Sequence, residues 1–315
     1  MFRNASNREA KKRRERDRAA HAKLGHGAGL LAAAICALIL LRAGSAAPAD
    51  PAHPRRRHAR ASVSPTPQAL PANIRVPAYR AGAMPFHDGE RLFYEASWLG
   101  IPAARARFEL HRNRKDPDQW KAEAWIETTQ VVDVLFKMRD YMAESFAIGS
   151  LATTDVYQRQ SENRRFDEYS ISFDRRSHLV TARKKNPRET EIRQFISGDP
   201  WGPISGAMMA LTQRLDPGAN YEYDVFSGTT RYVFSFHVDG RERIRTPLGV
   251  FDAIKIIPGV VYLSNGRYQD EATTTTIWVS ADRRRLPLRL QAAAFIGQVT
   301  ADLTQVDGDA RVATR

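Results

Sequence analysis

One cysteine, Cys36, stands in 315 residues. It lies inside an apolar run, with Ile35 before it and Ala37 to Leu41 after it, whereas a lipid-acceptor cysteine should end such a run behind a small residue. If that segment is removed, the rest of the chain has no thiol, which excludes disulfides, thiolate metal sites and a cysteine nucleophile. No nucleophile elbow, phosphate loop or zinc-binding helix occurs, and no internal repeat is visible. Basic charge is also scarce where a nucleic-acid binder needs it. Of the net +13, the chain up to Arg60 carries +10 and everything after it only +3. A nucleic-acid-binding body would hold its basic residues on the folded surface, so that partner class drops out.

What is present begins with a leader. Arg8 to Lys23 is strongly basic, residues 28–41 are uninterrupted Ala, Gly, Leu, Ile and Cys, and Ala43 to Ala47 is a small-residue window. That is the layout of a secretory signal, with cleavage after Ala46. The competing reading is an uncleaved anchor, because Leu24 to Leu41 approaches the lower limit of about 17 residues that span a bilayer. Inner-membrane contact would then run through residues 24–41. Either way the body is exported, and a periplasmic location is expected. The paired Arg13 and Arg14 are followed by Glu15 and Asp17, which speaks against twin-arginine export.

The expected organisation is a leader over 1–47, a Pro/Ala-rich disordered linker over 48–85, a β-rich domain over 86–307 and a disordered tail over 308–315. Eight prolines from Pro48 to Pro85 interrupt any periodicity in the linker. Its Arg55–Arg57, His58 and Arg60 cluster reads as a solvated basic stretch or as a contact for anionic headgroups.

The body opens on a hairpin. Leu92, Tyr94, Ala96 and Trp98 share one face of a strand, Gly100 to Pro102 supply the turn, and Ala104, Ala106, Phe108 and Leu110 alternate with polar neighbours. Apolar residues on both sides of the first strand predict that Leu92, Phe93, Tyr94, Trp98 and Leu99 are covered on two sides. Strands follow around Ala122–Ile126, Asp140–Ile148, Thr154–Gln160, Tyr169–Phe173 and His178–Lys184. Val131, Leu135 and Met138 recur at helical spacing. Ile204, Met208, Leu211 and Leu215 form a longer helical stripe, closed by Asp216, Pro217 and Gly218. Beyond it, strands are expected at Tyr221–Val225, Tyr232–Val238, Arg241–Thr246, Phe251–Ile257, Gln269–Val279 and Leu286–Phe295, with a last one ending at Leu303. Asp239–Gly240 and Asn265–Gly266 read as hairpin turns, and Pro247–Gly249 as a tight turn. The fold class is therefore mainly β: a single antiparallel, curved or partly closed β-sheet domain with two short helices.

Three pieces together carry a resemblance. They are Tyr94, Glu95 and Ser97 to Pro102; Arg241, Glu242, Arg245 to Gly249 and Phe251 to Ala253; and Ile277, Trp278, Asp282 and Arg284 to Pro287. In that order they resemble the bacterial domain-of-unknown-function family 3108, over roughly residues 86–307. The resemblance implies export and a β-rich domain, and it lends no catalytic residue. A looser likeness to periplasmic lipoprotein-carrier folds, a curved sheet closed over by helices, is a fold-level analogy.

Candidate sites are few. His87, Asp88 and Glu90 match no metal-ligand spacing, and Asp88–Gly89 reads as a turn. His111, His178 and His237 fall on polar strand faces. Glu95 and Glu242 stand inside strand motifs; if buried, each needs a partner, and an Arg across the sheet is the expected one. No catalytic residue, metal or cofactor is assigned. Aromatic side chains are the more suggestive feature: Tyr94, Trp98, Phe234, Phe236 and Trp278 either fill a core or line an apolar cavity for a lipid-like ligand. The function read from the sequence is an exported, non-enzymatic domain binding an apolar ligand or an envelope component. A structural or protein-interaction module of the envelope is the alternative, and a hydrolase using Glu95 or Glu242 with a nearby His comes third.

Overall fold

The computed structural model of the chain describes residues 62–63, 77–188, 190–196, 199–264, 267–271, 275–293 and 297–308. The leader with Cys36, most of the linker, the turn at Asn265–Gly266 and the tail past Gly308 lie outside the described residues.

Sixteen strands form one sheet. The first half runs β1 (Ser62–Val63), β2 (Glu90–Trp98), β3 (Ile101–Arg112), β4 (Gln119–Thr128), β5 (Arg139–Ala147), β6 (Thr153–Glu162), β7 (Arg165–Asp174), β8 (Leu179–Lys185) and β9 (Thr190–Ile196). The second runs β10 (Asn220–Ser227), β11 (Thr230–Thr246), β12 (Gly249–Ser264), β13 (Arg267–Glu271), β14 (Thr275–Ser280), β15 (Pro287–Ala293) and β16 (Gln298–Asp307). Helix α1 (Gln130–Asp133) follows β4, and α2 (Pro203–Leu211) joins the halves. From β2 to β9 each strand pairs antiparallel with its sequence neighbour, and β10 to β16 do the same with β13 set beside β12. The two meanders meet where β16 pairs antiparallel with β2. Among the strands of the described residues, only β1 pairs parallel, with β9.

The sheet is not closed, but it curls until its β10 end meets β6 and β7. Phe226 of β10 meets Phe173 of β7 edge to face at 6.3 Å, and Gln158 of β6 donates to Ser227 Oγ at 2.5 Å. Trp201 covers the β10 edge through backbone bonds to Asp224 and Phe226, each at 2.9 Å. Alternation fixes the inner face. In β2, Glu90, Leu92, Tyr94 and Ala96 are buried while Arg91 and Glu95 are exposed, and β4 buries Trp120, Ala122, Ala124 and Ile126 in the same rhythm.

Packed chain begins ahead of Phe86. Tyr79, Ala81 and Met84 lie against the core, and Tyr79 stacks on Tyr223 at 4.7 Å. A proline-rich stretch has no period from which this packing could be read.

Several local expectations are corrected. Asp239–Gly240 does not turn the chain: β11 runs straight through it, and the pair forms a β-bulge opposite Lys255. Gly240 is extended, at φ 158°, and Asp239 ion-pairs with Lys255 at 2.8 Å, so the extra residue bends the strand without reversing it. The expected strand Gln269–Val279 is two strands, β13 and β14, both paired to β12. The helix carrying Val131, Leu135 and Met138 is only four residues long. Val131, Val134 and Leu135 are exposed, while Met138 is buried where β5 begins. The longer helix stops at Leu211, and Leu215 is buried in the segment after it. Leu99 is not covered on two sides. With φ 53° it forms, with Gly100 at φ 79°, the two-residue loop between β2 and β3, and it is 60% exposed. By contrast Pro247–Leu248 does make the tight turn, closed by the Thr246–Gly249 pair.

Candidate functional site

Helix α2 sits over the concave face of the sheet, and its position is set from its first turn. Pro203 occupies the first helical position, where a missing N–H costs nothing, and the Gly202 N-cap supplies no capping side chain. The cap comes instead from β5. Glu144, fully buried, accepts the N–H groups of Ile204 at 2.7 Å and Ser205 at 3.2 Å. Thr153 donates to Glu144 at 3.2 Å and accepts the Gly202 N–H at 2.6 Å. A Cβ on Gly202 would stand 2.4 Å from the Glu144 carboxylate, so only glycine fits there. Burial pushes the Glu144 carboxyl up to about 7, against the lowering effect of these donors. Beside it, Arg175 is itself disfavoured as a cation by burial, and donates to the carbonyls of Thr153, Asp199 and Pro200 at 3.2–3.4 Å.

Held this way, α2 does not seal onto the sheet. An apolar cavity remains between them, bounded by Leu92, Tyr94, Phe236 and Ile277 of the sheet and by Met208 and Leu215 of the cover. Its free volume is about 90 Å³, room for several waters or for a short aliphatic chain. The Tyr94 hydroxyl donates to the Pro287 carbonyl at 2.9 Å, which ties the first hairpin to the Asp282–Pro287 segment at the cavity wall. Three charged residues reach the cavity: Glu90, Arg284 and Arg285. Glu90 is 4% exposed, accepts the His87 N–H at 3.2 Å, and has its carboxyl pushed up by burial. Arg284 pairs with Asp282, Nε to Oδ2 at 2.8 Å. Arg285 differs: its Nη1 is buried with no hydrogen-bond partner among the described residues.

Tyr94 and Phe236 thus line the cavity. Phe234 lies in the core, edge-on to Phe236 at 4.2 Å. Trp98 is half-buried against the same core. Trp278 is buried and donates its indole N–H to Glu242. Neither carboxylate weighed as a candidate buried charge is buried. Glu95 alternates outward from Tyr94 and Ala96, opposite Arg105, and this pair sits 4.0 Å apart in solvent, with the Glu95 side chain 66% exposed. Glu242 lies in the exposed run Arg241–Arg243. The histidines stand apart from both: His178 pairs with Asp199 at 3.1 Å, His237 with Asn220 at 2.9 Å, and His111 is 3.8 Å from Glu123. Asp88 accepts the Arg112 N–H at 2.7 Å, and Gly89 takes the left-handed conformation, φ 80°, that a turn needs.

The buried acids beside the cavity and its cover that sequence reasoning missed are Glu90 and Glu144. Glu90 had a signal, since it keeps parity with Leu92 and Tyr94. Glu144 had none, because its partner is a helix end 60 positions away.

A fold of this kind, one long curled sheet with a helix laid in its hollow, belongs with the β-rich domains of unassigned reaction. The model of the family described as protein of unknown function (DUF3108) matches residues 94–304, and the chain belongs to that family. Among solved structures, a β-barrel-like protein of domain of unknown function DUF1849 from Brucella abortus is 8% identical, with 70% of this chain and 97% of that chain covered and a TM-score of 0.46. A protein from Parabacteroides distasonis provisionally described as a lipoprotein is 11% identical, covering 73% of this chain and 100% of that one at a TM-score of 0.31. A provisionally exported protein with a YmcC-like fold from Bacteroides fragilis is 10% identical, with coverage of 72% and 100% and a TM-score of 0.30. No curated protein matches the chain.

Proposed function

We propose that this chain is an exported, non-enzymatic domain of the cell envelope that holds an apolar, lipid-like ligand between its sheet and α2. The observation that carries this reading is the cavity itself. Its walls are aliphatic and aromatic, and the helix that covers it is fixed at its first turn by a buried polar cluster. A pre-formed apolar cavity with a few placed polar groups is the usual setting for a small apolar ligand. The basic and apolar leader supports a periplasmic location, with residues 24–41 touching the inner membrane if they are retained.

The test is binding of N-phenyl-1-naphthylamine, a neutral apolar dye that brightens out of water, to the full chain recovered from an exporting host. Saturable brightening at about one dye per chain, together with co-purifying lipid in native mass spectra, is expected. Linear, unsaturable brightening and a clean apo mass would remove the reading. The alternative, an envelope interaction module, is favoured by one observation: Leu99, Ile101, Val131, Val134 and Leu135 are all exposed, and Thr129 at the start of α1 bonds to Pro102 beside Ile101 at 2.9 Å. Crosslinking from Val134 in cells would give a discrete protein adduct under that reading and none under the first.

A further inference from the structure

Resting on the ligand-cavity reading, we infer that the occupant is a single-chain amphiphile with an anionic head, carboxylate or phosphate monoester, whose head is received by the Arg285 guanidinium while its chain lies under α2.

The inference starts from an unbalanced charge. A guanidinium carries five donors in a fixed fork and stays protonated in proteins, and buried polar atoms nearly always have a partner. The Arg285 Nη1 has none among the described residues. Its neighbours show what a satisfied arginine looks like in the same protein. Arg284 is paired to Asp282 at 2.8 Å, Arg289 to Asp302 at 2.6 Å, and Arg231 is buried against Asp224, Nε to Oδ1 at 2.7 Å. Arg285 alone of this group lines the cavity with no acidic partner among the described residues, its Nη1 enclosed and unbonded beside the apolar space.

The backbone holds it there. Arg285 adopts φ 49°, a left-handed conformation that is unusual for a residue other than glycine. The turn is closed by its own N–H on the Asp282 carbonyl at 3.3 Å, and the next two residues are fixed by the Leu286 N–H on Ser280 Oγ at 2.8 Å and the Pro287 carbonyl on Tyr94. Of the other charged groups at the cavity, Arg284 is paired with Asp282, and Glu90 is occupied by the His87 N–H, with no ion pair joining it to Arg285 among the described residues. A neutral ligand would leave the guanidinium as unsatisfied as it is now. A cationic one would be repelled by it. An anionic head completes it with the short, charge-assisted and often bidentate bonds that arginine forms with carboxylate and phosphate.

Octanoate, octyl phosphate, octanol and octylamine share one chain and differ in head, so displacement of N-phenyl-1-naphthylamine from the full chain separates the contributions. Octanoate or octyl phosphate should displace the dye at least about tenfold more tightly than octanol, with octylamine weakest. Whichever of the two anions is the tighter distinguishes a fatty-acid head from a phosphate head. Measured against each variant's own dye affinity, Arg285→Gln should bring octanoate and octanol within about twofold of each other, while Arg285→Lys should retain part of the preference. Should Arg285→Gln fail to fold, the wild-type ranking and Arg285→Lys decide. If the dye binds but octanoate is no tighter than octanol, or if the preference survives in Arg285→Gln, the head-group assignment is overturned and the apolar cavity stands. If the dye itself does not bind, the cavity reading fails first.

Discussion

Replacing Glu144 by glutamine is the sharpest perturbation of this structure, because it removes a titrating group without changing shape. The carboxylate accepts two N–H groups from the first turn of α2 and one hydroxyl from Thr153. Burial holds its carboxyl at about 7, above the ordinary value of 4.5. Between those two values the folded chain holds a proton on Glu144 that the unfolded chain has released. Stability therefore falls as pH rises through that window and is flat with respect to this group outside it. The shift of about 2.5 pH units amounts to about 3 kcal/mol between pH 4 and pH 8. Glutamine does not titrate, so the difference in unfolding free energy, wild type minus Glu144→Gln, should shrink by about that much across the range. At pH 4 the wild type should be the more stable, since glutamine presents one amide nitrogen to a helix end that offers only donors, leaving an N–H unmet at about 1–3 kcal/mol. Urea unfolding at half-unit pH steps, with the slope m held common, measures this directly. Parallel pH profiles for the two proteins would refute the reasoning. So would a wild-type advantage that grows with pH, because it would mean that the positive end of α2 outweighs burial.

Other perturbations follow from the same geometry. Gly202→Ala should cost about 1–3 kcal/mol by urea unfolding, since the new methyl meets the Glu144 carboxylate at 2.4 Å. Arg231→Met strands the buried Asp224 carboxylate, whose carboxyl burial already pushes up, and should cost about 3–5 kcal/mol. Adding Asp224→Leu should restore much of that loss. Ala207→Phe places a ring in the cavity from the underside of α2 and should abolish dye binding while leaving the thermal midpoint within a few degrees. Val134→Asp on the exposed end of α1 should change stability by less than about 0.5 kcal/mol.

Period-two alternation made much of the sheet legible. Leu92, Tyr94 and Ala96 announce their face, and so do Ala122, Ala124 and Ile126, because one side of each strand is dry and the other wet. Dipeptides were less informative than strands. Asp-Gly serves a hairpin or a bulge equally well, and what decides at Asp239 is whether the neighbouring strand continues, which no local pattern records. The short helix forms where helical spacing placed it, but Val131, Val134 and Leu135 face solvent, so their pattern reflects no burial. The candidate site was legible only by halves. Tyr94 and Phe236 were visible as inward aromatics, whereas Arg285 and Glu144 take their meaning from groups distant in sequence. Glu95 and Glu242 drew notice as charges inside strand motifs, and both point outward.

The seam where β16 joins β2 also constrains how this protein is made. Thr304 donates to the Phe93 carbonyl across 211 positions at 3.1 Å, so the middle of the sheet is built from the first long strand and the last. During synthesis the first meander can zip as it emerges, but β2 keeps a bare edge until β16 arrives. The cell therefore handles a half-sheet with an open, strand-accepting flank for most of the chain's emergence. A nonsense codon anywhere before β16 would leave both halves without their common border.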